Sequence, residues 1–168
     1  GKNNQAEADF LRIDEAFLNP GVAIATGGGN DEVVFNDLTF NGDVGVATAG
    51  GDDRVAIDDT VVGRDLKIGT ADGNDTVELR ETSVSRDLVV EGGKGADSVT
   101  LGQFTDFVRV GRNAAVSGGD GDDVLQVNAG LADVTVLGNL AVSGGKGTDT
   151  IAIGNGKVAV TGKVAVDG

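Results

Sequence analysis

One acidic position recurs along this chain at a nearly constant interval. The aspartates at this position are Asp31, Asp53, Asp75, Asp97, Asp123 and Asp149. The first three intervals are 22 residues and the last two are 26 residues. If each interval forms one layer of a stack, neighbouring carboxylates lie about 5 Å apart and repel by roughly 3 kcal/mol at an effective dielectric of about 20. Ca²⁺ would relieve this repulsion, and so would backbone N–H groups, solvent or a lysine.

The residues around each aspartate repeat in the same register. A glycine stands two residues before it, at Gly29, Gly51, Gly73, Gly95, Gly121 and Gly147. An apolar residue stands two residues after it, at Val33, Val55, Val77, Val99, Leu125 and Ile151. Another stands seven residues before it, at Ile24, Val46, Ile68, Val90, Val116 and Val142. Such a register indicates a solenoid, in which one repeat cannot bury its own apolar face.

Each repeat contains three short stretches with the period-2 alternation of a β-strand, as at residues 66–68, 76–79 and 60–62. Three strands joined by turns close one coil, and each strand then pairs with its equivalent in the next coil. The sequence therefore predicts an all-β fold, a single-stranded parallel β-helix of about six coils of 22–26 residues spanning residues 22–168. The general preference of parallel connections favours a right-handed coil.

The N-terminal residues differ from the repeats. Residues 1–8 are polar and predict a loosely ordered leader, before a single domain over residues 9–168. Phe10, Ile13 and Phe17 follow the helical spacing, and Pro20 predicts that the helix ends by about residue 18. Because a solenoid leaves an open apolar end, we expect residues 9–18 to form an α-helical cap over it.

The acidic turn resembles the calcium-binding nonapeptide of hemolysin-type (repeat-in-toxin) secreted proteins, Gly-Gly-x-Gly-x-Asp-x-apolar-x. The fullest matches are residues 92–97, 118–123 and 144–149. In that family, stacked turns bind Ca²⁺ through glycine carbonyls and the motif aspartate. The resemblance therefore implies Ca²⁺ as a cofactor, with Asp97, Asp123 and Asp149 as metal ligands.

This chain departs from the family pattern in three ways. Its motif recurs every 22 to 26 residues instead of every nine, so it would line one edge only. The first three turns replace the leading glycine by Thr26, Thr48 and Thr70, and Lys94 and Lys146 place positive charge within the loop. The alternative to a metal site is a structural turn, in which glycine supplies a positive φ and aspartate accepts N–H bonds.

Two other features of the repeats are informative. Acidic or amide residues align at another corner, at Asp43, Asp65, Asp87, Asn113 and Asn139, and we expect them to form hydrogen bonds between coils. Repeats four and five carry matching insertions at residues 102–107 and 128–133. Insertions on one side of a solenoid often mark a binding face, but we expect Phe104 and Phe107 to extend the core instead.

Composition excludes several kinds of site. The 168 residues include no Cys and no His, which excludes thiolate metal sites, Ser-His-Asp triads and ordinary catalytic zinc sites. The formal net charge of −14 disfavours nucleic acid and anionic membrane surfaces as partners. No apolar run is long enough for a transmembrane segment. Because the chain begins at Gly1 without an initiator Met, we expect a preceding segment such as a secretion signal, and hence an extracellular or cell-surface location.

These observations favour a non-catalytic structural or interaction module that is secreted or displayed at the cell surface, with or without calcium stabilisation. The alternative is a polysaccharide-active lyase or hydrolase, because such enzymes often resemble this fold. Its best available reactive group is Arg54 with Asp58, Asp59 and Glu78. The sequence leans away from an enzyme because no reactive cluster converges.

Self-association is a further expectation. Val164 and Val166 fit the first strand of a seventh coil, after which no further turn follows. Either the native chain continues or this open C-terminal end is covered by another subunit. Small side chains also align beside the first strand, predicting a flat face on which another chain, a protein or a glycan could lie. Its members are Ala23, Ala25, Gly45, Ala47, Gly69, Ala115, Ser117, Ala141 and Ser143.

Overall fold

A computed structural model describes residues 7–154 and 156–168. These residues form 18 strands and no helix, and every strand pair is parallel. The predicted parallel β-solenoid is therefore confirmed, with about seven turns instead of six. Residues 1–6 of the predicted leader lie outside the described residues.

The first strand of each coil belongs to a seven-stranded sheet. Its members are β2 (Val22–Ala25), β4 (Val44–Ala47), β6 (Leu66–Asp72), β9 (Leu88–Lys94), β12 (Ala114–Asp120), β15 (Leu140–Lys146) and β18 (Val164–Asp167). Their order in the sheet follows the order of the coils.

The rest of each coil belongs to an eleven-stranded sheet. Near the N-terminus the second and third strands merge into β1 (Phe10–Leu18), β3 (Glu32–Phe40) and β5 (Arg54–Val62). Beyond β5 the second strands are β7 (Thr76–Leu79), β10 (Ser98–Phe104), β13 (Val124–Gly130) and β16 (Thr150–Ile153). The third strands are β8 (Thr82–Val84), β11 (Phe107–Val110), β14 (Asp133–Val136) and β17 (Lys157–Val160).

The core lies inside the coils and consists of the residues that the period-2 alternation predicted. Val55, Ile57 and Ile68 are buried, and so are their equivalents in neighbouring coils. Side chains on the opposite face of each strand point outward, as the alternation of a pleated strand requires. The outermost coil is less protected, and its Val164 and Val166 are each 53% exposed.

The predicted N-terminal capping helix is wrong. Residues 10–18 form β1, which pairs with β3 in parallel from Phe10–Glu32 to Leu18–Phe40. Leu11 and Ile13 point inward before a bend, whereas Ala16 and Leu18 do so after it. At the bend Glu15 has a left-handed φ of 50°, so the alternation changes phase and imitates helical spacing.

The insertions lie between the second and third strands, as predicted. They extend β10 and β13, which pair from Ser98–Val124 to Phe104–Gly130. The expectation that Phe104 extends the core is wrong, since Phe104 is 67% exposed. Phe107 is half-buried and lies beneath the Arg109 guanidinium, 5.1 Å from the ring centroid.

Candidate functional site

The recurring turn is shaped by its glycines. In each of the six turns the glycine two residues before the aspartate has a φ between 120° and 148°. This region of the Ramachandran map is accessible almost only to glycine. A Cβ at Gly95 would also overlap the carbonyl oxygen of Gly73 in the preceding coil. The glycine column therefore permits both the turn conformation and the close stacking of successive turns.

The aspartates form a continuous ladder, which we call the inner aspartate column (Asp31, Asp53, Asp75, Asp97, Asp123 and Asp149). Each carboxylate Oδ1 accepts a hydrogen bond from the backbone N–H of the aspartate in the preceding coil, at 2.7–3.0 Å. Asp31 accepts the N–H of Asp9 in the same way, at 2.8 Å. The column thus supplies one hydrogen bond between coils at every layer, and the aspartates accept backbone N–H bonds as a structural turn predicts.

The second carboxylate oxygen is different. Asp53, Asp75, Asp97 and Asp123 are 1–2% exposed, and their Oδ2 atoms lack a hydrogen-bond partner within the described residues. Asp149 at the last turn is half-buried, and its Oδ2 also lacks one. A buried carboxylate oxygen without a donor is costly, because the charge has lost its hydration.

Burial changes the acidity of the column. It raises the pKa of Asp97 to about 6, and the charges of Asp75 and Asp123 act in the same direction. Burial also raises the pKa of Asp75 and that of Asp123. The hydrogen bond from the preceding coil opposes the shift in each case but does not cancel it. The column therefore favours uptake of a proton or a cation.

The structure brings the three predicted metal ligands together in one column. Asp97 and Asp123 are buried in adjacent coils, joined by the bond from the Asp97 N–H to Asp123 Oδ1 at 2.8 Å. Asp149 continues the column, and its Oδ1 accepts the Asp123 N–H at 3.0 Å. In the part of the chain that the structure describes, no three acidic side chains form a cluster with metal-binding geometry. A cation here would therefore need backbone carbonyls among its ligands.

The two turn lysines do not lie inside the loops, so that interpretation is wrong. Lys94 Nζ is 2.8 Å from a carboxylate oxygen of Asp72, and Lys146 Nζ is 2.8 Å from one of Asp120. All four side chains are at least half exposed. The lysines therefore bridge adjacent coils on the outer surface and leave the inner aspartate column without a cation from lysine.

The other aligned corner also forms a ladder, as predicted. Asp65, Asp87, Asn113, Asn139 and Lys163 each donate a backbone N–H to the side-chain Oδ1 in the preceding coil, at 2.8–3.2 Å. The direction is opposite to that of the inner column, where Oδ1 accepts from the preceding coil. Hydrogen bonding by Asn113, its backbone N–H above all, lowers the pKa of Asp87.

The group considered for polysaccharide chemistry is divided between ion pairs. Arg54 donates to Glu32 and to Glu78, each at 2.8 Å, and so links three coils. An Asp58 carboxylate oxygen lies 3.7 Å from the Arg80 guanidinium, while Asp59 is an exposed residue of β5 with a φ of 41°. Arg54 and Glu78 are thus in contact, but Asp58 and Asp59 do not complete a reactive cluster with them.

Sequence reasoning missed two members of the acidic edge. Asp9 precedes Asp31 by 22 residues and donates its N–H to that column, and the same register places β1 beside β3. The Thr26 hydroxyl donates to Asp31 Oδ2, which makes this threonine part of the turn chemistry. Extending the 22-residue alignment towards the N-terminus would have identified Asp9.

Comparison of the chain with protein-family models, curated protein sequences and solved structures gives no significant match. The resemblance of the turns to hemolysin-type repeats therefore remains one of motif. Within the described residues, no helix has the length and apolar character required to cross a bilayer.

Proposed function

We propose that this chain is a non-catalytic structural or interaction module of a secreted or cell-surface protein, and that calcium stabilises its acidic edge. The proposal is supported by the charged side chains, which form hydrogen bonds and ion pairs between coils. Column aspartates accept bonds between coils, and Arg54, Lys94 and Lys146 pair with carboxylates across coils. This chemistry holds a rod together, and among the described residues it leaves no convergent acid and base for catalysis.

The flat first-strand face supports an interaction role. Ala23, Ala25, Gly45, Ala47 and Gly69 line a shallow, largely apolar depression on the seven-stranded sheet. At its margin Lys67 pairs with Glu91 at 3.0 Å. Small side chains in register would let a flat partner, such as a protein or a second copy of this rod, approach the backbone closely.

The residues of the acidic edge fit a calcium ion in their chemistry. Ca²⁺ prefers carboxylate and carbonyl oxygens, and the turns combine buried aspartates with glycine carbonyls. The Oδ2 atoms of Asp97 and Asp123 are buried, and none of the described residues donates a hydrogen bond to them. Asp97, Asp123 and Asp149 would hold the ion, and its charge would offset the repulsion along the column.

Thermal unfolding in excess CaCl₂ and in EDTA tests this role. Because an ion that binds only the folded chain raises stability by RT ln(1 + [L]/Kd), we expect calcium to raise the midpoint by several degrees, for a gain of about 2–3 kcal/mol at 100-fold excess over Kd. Sodium chloride at matched ionic strength controls for screening along the column. Equal midpoints in CaCl₂ and EDTA would remove calcium from the proposal.

A further inference from the structure

A column of alternating charge runs along one edge of the seven-stranded sheet. The last residues of β6, β9, β12 and β15 pair with one another in register, and we call them the charged column (Asp72, Lys94, Asp120 and Lys146). Within the chain, Lys94 donates to Asp72 and Lys146 to Asp120, each at 2.8 Å. All four side chains are at least half exposed. The sign of the charge on this edge therefore changes at every coil, about every 4.8 Å along the rod.

The charged column is complementary to its own reverse. If a second rod lies antiparallel to the first, Asp72 faces the partner's Lys146 and Lys94 faces the partner's Asp120. A two-fold axis repeats both pairs, so opposite charges meet at all four coils. A displacement by one coil would instead place Asp72 against the partner's Asp120 and Lys94 against its own copy. The column therefore favours one orientation and one register and disfavours the neighbouring one.

The outward side chains of the sheet are complementary in the same register. Beside the charged column, the three largest outward side chains of these four strands all lie in β6 and β9, at Lys67, Val89 and Glu91. The antiparallel register places each of them against a small residue of β12 or β15, in order the partner's Ala141, the partner's Ala115 and the partner's Ser117. The other outward positions are glycine, alanine or serine, so no large side chain meets another.

The charge of this face also permits self-association. Strands β6, β9, β12 and β15 contain three lysines and three carboxylates, whereas the whole chain has a formal net charge of −14. Two copies therefore approach with less repulsion through this face than the charge of the chain suggests. Six overlapping coils and strands of up to seven residues span roughly 650 Å² per chain. Since a standard interface has about 800 Å² per partner, we expect a dissociation constant in the micromolar range.

We propose that the seven-stranded sheet binds a second copy of this chain as an antiparallel two-fold dimer, with the two charged columns facing each other. The inference rests on the interaction role proposed above and names the partner of that face. In the dimer each lysine of the column lies between a carboxylate of its own chain and one of the partner, so the pairs within the chain become a network across the interface.

Charge exchange along the column tests this dimer by sedimentation velocity over a range of micromolar concentrations, in EDTA so that no metal bridges two acidic chains. One double variant is Asp72→Lys with Asp120→Lys, and the other is Lys94→Asp with Lys146→Asp. Each should weaken dimerisation about tenfold or more, because like charges then meet at all four coils. An equimolar mixture of the two should dimerise again, since a column of lysines faces a column of carboxylates. Misfolded variants would not regain association in this way.

Arg109→Asp with Lys157→Asp is the matched control for the second variant. It changes the net charge by the same amount at exposed positions of the eleven-stranded sheet. In physiological salt it should change the dissociation constant by no more than about twofold, because screening limits the effect of distant charges.

The orientation is tested by cross-linking chains whose charged column is unchanged. The wild-type chain has no cysteine, and Gly69 and Ser143 lie on the outward face of the sheet. Residue 69 faces residue 143 of the partner in the antiparallel register, whereas the two copies of residue 69 lie three coils apart, about 14 Å. A short bismaleimide should therefore cross-link a mixture of Gly69→Cys and Ser143→Cys chains far more than either variant alone.

A wild-type chain that stays monomeric at every concentration would overturn the dimer and leave the calcium role to its own thermal test. A dimer that neither charge variant weakens would overturn the assignment to this face. Equal cross-linking of each cysteine variant alone and of their mixture would overturn the antiparallel register.

Discussion

Replacement of Gly95 by alanine is expected to destabilise the rod by about 3 kcal/mol or more, which is a large fraction of the free energy of unfolding of an ordinary domain. Gly95 has a φ of 120°, which an L-residue with a side chain adopts only under strain. Its new Cβ would also overlap the Gly73 carbonyl oxygen, and backbone cannot move aside as a flexible side chain can. The loss should appear as a lower midpoint in urea unfolding followed by circular dichroism.

Gly69→Ala is the matched control for this substitution. Gly69 lies in β6, faces outward and has no atom within 4 Å of its Cβ position. Its φ is not in the left-handed region, so alanine should change the free energy of unfolding by no more than about 0.5 kcal/mol. Similar stabilities for the two variants would show that the turns are not closely stacked at Gly95.

The second large effect is expected at Asp97. Alanine at this position removes the acceptor of the Asp75 N–H, which lies 2.9 Å from Asp97 Oδ1. Because that N–H is buried in the turn, its loss of a partner should cost about 1–3 kcal/mol. Asparagine retains a side-chain oxygen at the same position and removes the charge, so Asp97→Asn should be more stable than Asp97→Ala when both are unfolded in urea with EDTA.

In EDTA, the free energy of unfolding of the wild-type chain should depend on pH through Asp97. Burial raises the pKa of Asp97 to about 6, so the folded state binds this proton more tightly than the unfolded chain does. The stability that the folded state gains from this tighter proton binding is fully present below the ordinary aspartate pKa and is lost as the pH rises through about 6. We expect the loss from Asp97 to amount to about 1–2 kcal/mol after solvent screening. Asp97→Asn should not show this component.

Two results would contradict this role of Asp97. One is equal stability of the alanine and asparagine variants, since it would mean that the bond to Asp75 contributes nothing. The other is a difference between the wild-type chain and Asp97→Asn that stays constant from pH 4 to pH 7 in EDTA, since it would mean that no proton is bound preferentially by the folded state.

Much of this fold could be predicted because every coil of a solenoid repeats the same residue pattern. Val55, Val77 and Val99 each stand two residues after a column aspartate. Because every coil shares this pattern, it predicts where each strand lies, which of its side chains point inward and which strand it pairs with. In the structure these valines are paired with one another in adjacent coils, and all are buried. In this chain, the apolar alternation within each strand and the repeat of that pattern from coil to coil are therefore sufficient to predict parallel pairing.

The N-terminal segment shows where local periodicity misleads. Phe10, Ile13 and Phe17 have helical spacing, yet Phe10 and Phe17 are each 66% exposed. Two consecutive outward residues at the Asp14–Glu15 bend shift the alternation by one position. The long-range register, in which Phe10 aligns with Glu32 and Leu18 with Phe40, overrides the local signal because hydrogen bonds to β3 pair the backbone groups along one edge of β1.

The chemistry of the acidic edge could be predicted only in part. The alignment of Asp97 and Asp123 follows from residue spacing, but the bond from each N–H to the next carboxylate depends on side-chain orientation inside the turn. The orientation of Lys94 could not be predicted for the same reason, because its position within the motif does not reveal that its side chain points outward to Asp72. The threonine in place of the leading glycine at residue 26 is visible in the sequence, whereas the bond from its hydroxyl to Asp31 Oδ2 emerges from the structure.

A high-resolution crystal structure of the wild-type chain grown with CaCl₂ would decide whether calcium belongs to the acidic edge. We expect density for an ion beside Asp97 and Asp123, with oxygen ligands at about 2.3–2.6 Å and an anomalous signal at long wavelength. No such ion is expected beside Asp31, whose Oδ2 accepts the Thr26 hydroxyl. Buried Asp97 and Asp123 side chains with no ion beside them, in crystals saturated with calcium, would refute calcium stabilisation of this edge.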